Sequence, residues 1–224
     1  MTEASTDVGK WEDAYLRFET PEEEIRKFTR RLHDLGAGDW PRGARILELF
    51  CGRGNGLVAL ERLGFTELSG VDLSPRLVGL YRGRGRCAAG DCRALPVRSG
   101  SCDVAIVQGG LHHLPDLVAD LPVVIEEVRR VLRPGGRFVV VEPWLTPFLS
   151  VVHAVCASPA RYAWGRLDAL ATMIHYEQDT YSRWLAHPEF VLSTLAHGFS
   201  QEYRERRWGK LLFVGRLADA PPLT

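Results

Sequence analysis

The stretch that decides the fold is Arg45-Ile46-Leu47-Glu48-Leu49-Phe50-Cys51-Gly52-Arg53-Gly54-Asn55-Gly56-Leu57. Ile46 to Phe50 is an apolar run of strand length interrupted by one acid, and it passes straight into a turn carrying Gly52, Gly54 and Gly56. Glycine lets a backbone turn tightly and admit a ligand where any Cβ would collide. Twenty residues beyond Gly52, Asp72 closes a second apolar run, Leu68 to Val71. A carboxylate at that strand end can accept both hydroxyl hydrogens of an adenosine ribose. Strand, glycine turn and distant acid together specify an adenosine-containing cofactor. A dinucleotide needs G-x-G-x-x-G, whereas here the third glycine is Gly56 and position 57 is leucine. Glu48 would repel a pyrophosphate and attract an ammonium group.

Working outward, short apolar runs alternate with helical patterns: a helix from Asn55 to Leu63, a helix after Pro75, then strands at Arg86–Ala89 and Val104–Val107. A helix ending near Leu132 follows, which Pro134-Gly135-Gly136 should stop, and then a strand from Arg137 to Val141. Near-continuous Val/Ile/Leu strands separated by helices predict an α/β, doubly wound, mostly parallel sheet. Phe199–Arg206 and Lys210–Arg216, joined at Trp208-Gly209, add a hairpin and bring the sheet to seven strands. At the other end the first ten residues read as frayed. Thr20-Pro21-Glu22-Glu23 then starts a helix that Ile25, Phe28, Leu32 and Leu35 pack and Gly36 ends. Beyond Pro143 two helical runs follow with no strand between them, an insertion at the carboxyl edge suited to act as a lid. The expected organisation of this single domain is a helical cap over 1–40, a cofactor-binding core over 41–143, a helical lid over 144–184, and a helix and strands completing the sheet over 185–224.

The 224 residues suffice to bury a core without disulfides or metals, and 28 basic residues balance 28 acidic ones, so nucleic acid is not an expected partner. The five cysteines, Cys51, Cys87, Cys92, Cys102 and Cys156, show no zinc spacing, so no metal is expected. No apolar run reaches membrane-spanning length and no signal sequence opens the chain, which implies a cytoplasmic protein. Oligomeric state has no signature.

With these residues in view, the chain resembles the class I S-adenosylmethionine-dependent methyltransferases, particularly the small-molecule (type 11) branch. The likeness runs from Arg45 to Pro143 through Ile46-Leu47-Glu48, Gly70-Val71-Asp72-Leu73-Ser74, Gly90-Asp91-Cys92-Arg93-Ala94-Leu95-Pro96, Ser101-Cys102-Asp103-Val104 and Val131-Leu132-Arg133-Pro134-Gly135-Gly136. It implies the Rossmann-like methyltransferase fold and S-adenosyl-L-methionine as cofactor. By the same resemblance, Glu48 with Phe50, Cys51, Gly52 and Gly54 lies at the methionine part, Asp72 at the ribose and Leu73 beside the adenine. Asp91 and Cys92 read the adenine amino edge, and Gln108 sits near the methionine carboxylate or amine. Phe50 stands where the family usually has glycine.

An activated sulfonium needs little beyond an aligned nucleophile, with a base only where the acceptor loses a proton. His112, His113, His153 and His175 are the candidate bases. Trp144, Phe148 and Tyr176, with Tyr162, Trp164 and Tyr181 nearby, offer aromatic surface to a small-molecule acceptor or pack in the core. The sequence after the fourth strand, Gln108-Gly109-Gly110-Leu111, lacks the motif of adenine or glutamine-amide methylation. Methyl transfer to oxygen, nitrogen or carbon of a small molecule is the leading expectation. An NAD(P)-dependent oxidoreductase and a cofactor-binding module without catalysis are the alternatives.

Overall fold

The computed structural model describes residues 3–163 and 165–218. Helix α1 (Glu3–Phe18) leads into α2 (Pro21–Asp34), which the Thr20 hydroxyl and the Glu23 carboxylate cap reciprocally. There follow β1 (Arg45–Leu49), α3 (Asn55–Arg62), β2 (Glu67–Asp72), a one-turn α4 (Pro75–Val78), β3 (Arg86–Ala89), β4 (Cys102–Gln108), α5 (Leu117–Val131) and β5 (Leu132–Pro143). Four further helices, α6 (Pro147–Cys156), α7 (Gly165–Tyr176), α8 (Gln178–Ala186) and α9 (Pro188–Gly198), precede the hairpin β6 (Ser200–Arg207) and β7 (Lys210–Arg216).

The seven strands lie in the order β3-β2-β1-β4-β5-β7-β6; β1 to β5 are parallel, and β7 runs antiparallel to both neighbours. Strand alternation sorts the core onto two faces. Leu47, Leu49, Phe138 and Val140 pack with α5, α8 and α9, while Ile46, Val139 and Val141 pack with α2 and α3. Strand order reverses between β1 and β4, and the crevice outside their carboxyl ends is where such sheets bind ligands. Both hairpin-turn residues, Trp208 (φ 48°) and Gly209 (φ 72°), are left-handed, matching the twist of the flanking strands.

Two expectations are corrected. The amino-terminal residues expected to fray form α1 from Glu3 onward, because Glu12, Ala14 and Trp11 have a surface to pack on: the sheet's carboxyl edge and α7. Helix α5 ends just before Pro134-Gly135-Gly136, as expected, but the strand expected from Arg137 already begins at Leu132. That helix ends at Val131, and Leu132 already pairs with Cys102, so the three residues form an irregular opening of β5, with Gly135 left-handed. The residue before proline disfavours helical backbone, which ends the helix before Arg133. Among the described residues no helix is long and apolar enough to cross a membrane.

Candidate active site

The loop after β1 is built from left-handed residues: Phe50 (φ 54°), Gly52 (φ 53°) and Gly54 (φ 78°). Its position is locked to β2, because the Gly52 amide donates to Asp72 Oδ2 at 2.8 Å and the Ser74 amide to Oδ1 at 2.8 Å. Each carboxylate oxygen keeps a lone pair for a further donor. A Cβ on Gly56 would lie 1.9 Å from Glu48 Oε1, so glycine alone lets α3 start directly against this carboxylate. The Phe50 ring packs on the core of the α5 face, over Gly110, where a Cβ would approach it to 2.2 Å. The ring is thus turned into the core rather than toward the loop glycines, which Tyr15 and Tyr81 cover instead.

Glu48 is 3% exposed, its Oε2 has no hydrogen-bond partner, and neither amide atom of Gln108, at the end of β4, has one. Burial pushes the Glu48 carboxyl up to about 8. Buried polar atoms are almost always satisfied, so orphans converging beside a glycine turn fit a ligand that carries an ammonium and a carboxylate. Leu73, 72% exposed at the end of β2, offers an apolar face for a base. Asp91 is held below the usual carboxylate range by hydrogen bonds from Arg93, which also bridges to Asp120; Cys92 is half-buried.

Helix α1 roofs this crevice. The Tyr15 hydroxyl lies 3.2 Å from where a Gly52 Cβ would stand and donates to the buried Glu24, which also takes Arg53 and Asn55. Glu12, buried too, accepts from Ser74 and pairs with Arg76. Trp11 stacks on Tyr15, meets the His113 ring edge-on at 5.0 Å, and donates its indole N–H to Glu177 Oε2 at 2.9 Å.

Beneath Trp11 lies a histidine pair that four elements position. Glu142, fully buried near the end of β5, accepts the Gly110 and Leu111 amides on Oε1, each at 2.7 Å, and faces His112 Nδ1 at 2.7 Å through Oε2. The carboxyl stays below its ordinary range although burial opposes this, because His112 and the two amides outweigh it. An ionised carboxylate only accepts, so Nδ1 carries the proton and Nε2 is the basic nitrogen. Burial and the neighbouring His113 charge lower the His112 pKa. His113 shifts the other way: burial is outweighed by Glu177, whose Oε2 lies 3.1 Å from Nδ1, and Glu177 is correspondingly lowered. The result is a neutral base beside an ion pair. Donor atoms of His112, His113 and Glu177 lie within 4.8 Å of one another, near enough to ligate one ion, but hydrogen bonding among them and to Trp11 already accounts for the closeness.

The other expected site residues scatter. His153 Nε2 contacts the Tyr181 hydroxyl at 3.0 Å, and the Tyr181 ring lies 5.7 Å from His112, which joins His153 to the cluster's edge. His175 is exposed, and Tyr176 lines a groove between α1 and α7 with Lys10 over its ring. Trp144 is buried in the core that also contains Trp184; Phe148 is exposed, edge-on to Trp208; Tyr162 is exposed; Trp164 lies outside the described residues. Sequence reading missed Glu142, Glu24, Trp11 and Tyr15. Only Glu142 had a signal, an acid terminating the buried run Val139-Val140-Val141.

Residues 47–140 match the family model described as a methyltransferase domain. The chain is 37% identical over 102 residues to a Mycobacterium ulcerans protein named as a phthiotriol/phenolphthiotriol dimycocerosates methyltransferase, covering 43% of this chain and 38% of that one. It is 31% identical over 123 residues to a demethylmenaquinone methyltransferase of Staphylococcus aureus (50% and 47% covered). To the 27-O-demethylrifamycin SV methyltransferase of Amycolatopsis mediterranei it is 31% identical over 150 residues (62% and 51% covered). The chain thus spans about half the length of these relatives or less. Among solved structures, a Methanosarcina mazei SAM-dependent methyltransferase superposes with TM-score 0.61 at 16% identity over 83% of this chain and 98% of that one. A Methanococcus maripaludis protein gives 0.65 at 13% identity over 97% and 95%; both establish the fold. Glycine loop and strand order agree with that match: residues 47–140 match a methyltransferase domain, on the fold shared with the S-adenosylmethionine-dependent methyltransferases.

Proposed function

We propose that the protein transfers the methyl group of S-adenosylmethionine to oxygen, nitrogen or carbon of a small molecule, held between the strand ends and a lid formed by residues 144–184. The observation that carries this is the pair of orphaned buried side chains, Glu48 and Gln108, set against the glycine loop and Asp72. Glu48 and Gln108 would hold the amino-acid end of the cofactor, and Asp72 the ribose. Leu73 would cover the adenine, with Asp91 and the Cys92 amide at its amino edge. The bound cofactor supplies an electrophilic methyl on a sulfonium that leaves as a neutral thioether. The chain's task is to align the nucleophile at about 3 to 3.5 Å and keep water out, the latter falling to Trp11 and Tyr15 of α1. Where the acceptor carries a proton, His112 Nε2 receives it, with Glu142 fixing tautomer and ring orientation. The relatives' named substrates differ widely, which supports no acceptor more specific than a small molecule. We assign the cytoplasm as compartment on the five free thiols, of which Cys51 and Cys87 stay unbonded with their Sγ atoms 3.7 Å apart.

Calorimetry with S-adenosylhomocysteine tests the assignment. The wild type is expected to bind one equivalent, and Asp72→Ala to bind at least about tenfold more weakly. Displacement by NAD but not by S-adenosylhomocysteine would move the protein to the oxidoreductases. Tight cofactor binding with no labelled product from any metabolite extract would make it a binding module.

A further inference from the structure

Away from the cofactor crevice, α2, the start of α7 and the β6–β7 turn enclose a cavity of about 610 Å³. Seven cationic side chains and three carboxylates line it. Each carboxylate is already matched: Glu19 pairs with Lys27, Glu23 with Arg166, and Asp34 with Arg207. Arg26, Arg30, Arg31 and Lys210 have no ion-pair partner among the described residues. Of these Arg31 and Lys210 are half-buried. Four positive charges around one space repel one another, and the two half-buried ones attract an anion more strongly than exposed charges do.

Burial, and then the Arg31 charge, push the Lys210 ammonium down to about 8, and burial lowers Arg31 as well, so the fold holds cations here at a disadvantage. An incoming anion would reverse that disadvantage. Apolar surface adjoins the charge: Leu212 lines the wall, and the exposed Trp208 stands at the turn in edge contact with Phe148.

Lys210 links the cavity to the reacting centre electrostatically, since it feels the charges of Glu142 and Glu177. Lys210 pairs with Pro143 across the sheet, and Leu211 with Glu142, whose carboxylate orients His112. Arg166 opens α7, and Glu177 follows the end of that helix. We propose that this cavity binds an anionic group, a carboxylate or phosphate, of the methyl acceptor, with Arg31 and Lys210 as its principal contacts. The acceptor is then an anionic small molecule with an apolar or aromatic portion beside Trp208. The identification of the ligand as acceptor rests on the methyl-transfer reading above; the anion site itself does not.

Calorimetry with inorganic pyrophosphate at low ionic strength reads the site directly. Wild-type protein is expected to bind with one-site saturation, weakened at least about tenfold by Arg31→Gln and by Lys210→Gln. Arg98→Gln, an exposed cation remote from the cavity lining, and Asp72→Ala are expected to leave it unchanged. Removing a cation from a self-repelling set should leave the melting temperature of both cavity variants no lower than that of the wild type. Arg30→Gln, at an exposed position, replaces either variant that loses its far-UV signature. Absence of saturable heat, or equal weakening in Arg98→Gln, overturns the site. In a second arm, metabolite extract is incubated with methyl-labelled cofactor. A labelled product retained on an anion exchanger at pH 7 is expected, with its acceptor KM raised in Arg31→Gln. A neutral labelled product overturns the assignment to the acceptor. Loss of S-adenosylhomocysteine binding by the wild type would instead sink the methyl-transfer reading and leave the pyrophosphate result standing.

Discussion

Glu48 enters the ligand-free site as an acid that burial has kept protonated near neutrality, with its pKa pushed up to about 8. An arriving ammonium group favours the ionised form and drives the proton off. S-adenosylhomocysteine binding at pH 7 should therefore release close to one proton in the wild type and none in Glu48→Gln. Calorimetry in phosphate and in Tris checks this, since equal heats in the two buffers would mean that Glu48 is already ionised. The same shift sets a sign for stability. Between an unfolded value of about 4.3 and the folded value of about 8, the folded chain binds the extra proton. Ligand-free stability from this group thus falls as pH rises across that window. His112 and His113 move in opposite directions from an ordinary value of about 6.5, so the base is available at lower pH than usual and the ion pair persists higher. For an acceptor that loses a proton, kcat/KM should rise through a pKa below about 6.5 and fall through one above it. His112→Gln should remove the acid limb and lower kcat on the order of 100-fold or more, with S-adenosylhomocysteine affinity retained. Glu142→Gln, at a positioning residue, should shift that limb rather than remove it.

At the scale of elements, the contact between β1 and α3 depends on a missing side chain. Gly56→Ala would place a methyl 1.9 Å from the Glu48 carboxylate, which must then move. Cofactor affinity should fall at least about tenfold, although alanine is the better helix former. A Gly56→Ala protein binding S-adenosylhomocysteine as the wild type does would show that Glu48 can yield without loss. Helix α1 answers a different question. Its residues meet three strand ends at once, through Ser74 after β2, Gly52 after β1 and the histidines after β4. Tyr15→Ala should open this roof and speed S-adenosylhomocysteine release, read by stopped-flow tryptophan fluorescence; an unchanged dissociation rate would make α1 a passive cover.

For the whole molecule, the core lies in two layers, one on each face of the sheet, and Phe138 is fully buried in the layer beneath α5 and α9, 5.2 Å from the Phe199 ring. Phe138→Ala should destabilise the fold by about 3 to 5 kcal/mol in denaturant unfolding, from lost burial and an unfilled cavity. A loss below about 1 kcal/mol would mean that the core around β5 and α9 collapses to fill the space. The proposed site draws on the same architecture: the residues proposed to hold the cofactor stand at the switch between β1 and β4, those proposed to handle the proton follow β4 and β5, and the cationic cavity is lined from α2, α7 and the β6–β7 hairpin.

By itself the amino-acid sequence determined the layered sheet, the glycine loop after β1, the acid at the end of β2 and the terminal hairpin, because each is specified by neighbours in the chain. Strand-length apolar runs, glycines at left-handed positions and a carboxylate at a strand end keep their meaning wherever the rest of the chain goes. Only the tertiary structure distinguished the two histidines, since that depends on Glu142, thirty positions away, meeting Nδ1 of His112 in a buried site. It also decided that Trp144 belongs to the core, that α1 covers the crevice, and that cations from α2, α7 and the hairpin share one space. Protonation and charge balance are set by burial and by partners across the fold, and neither exists until the strands are in register.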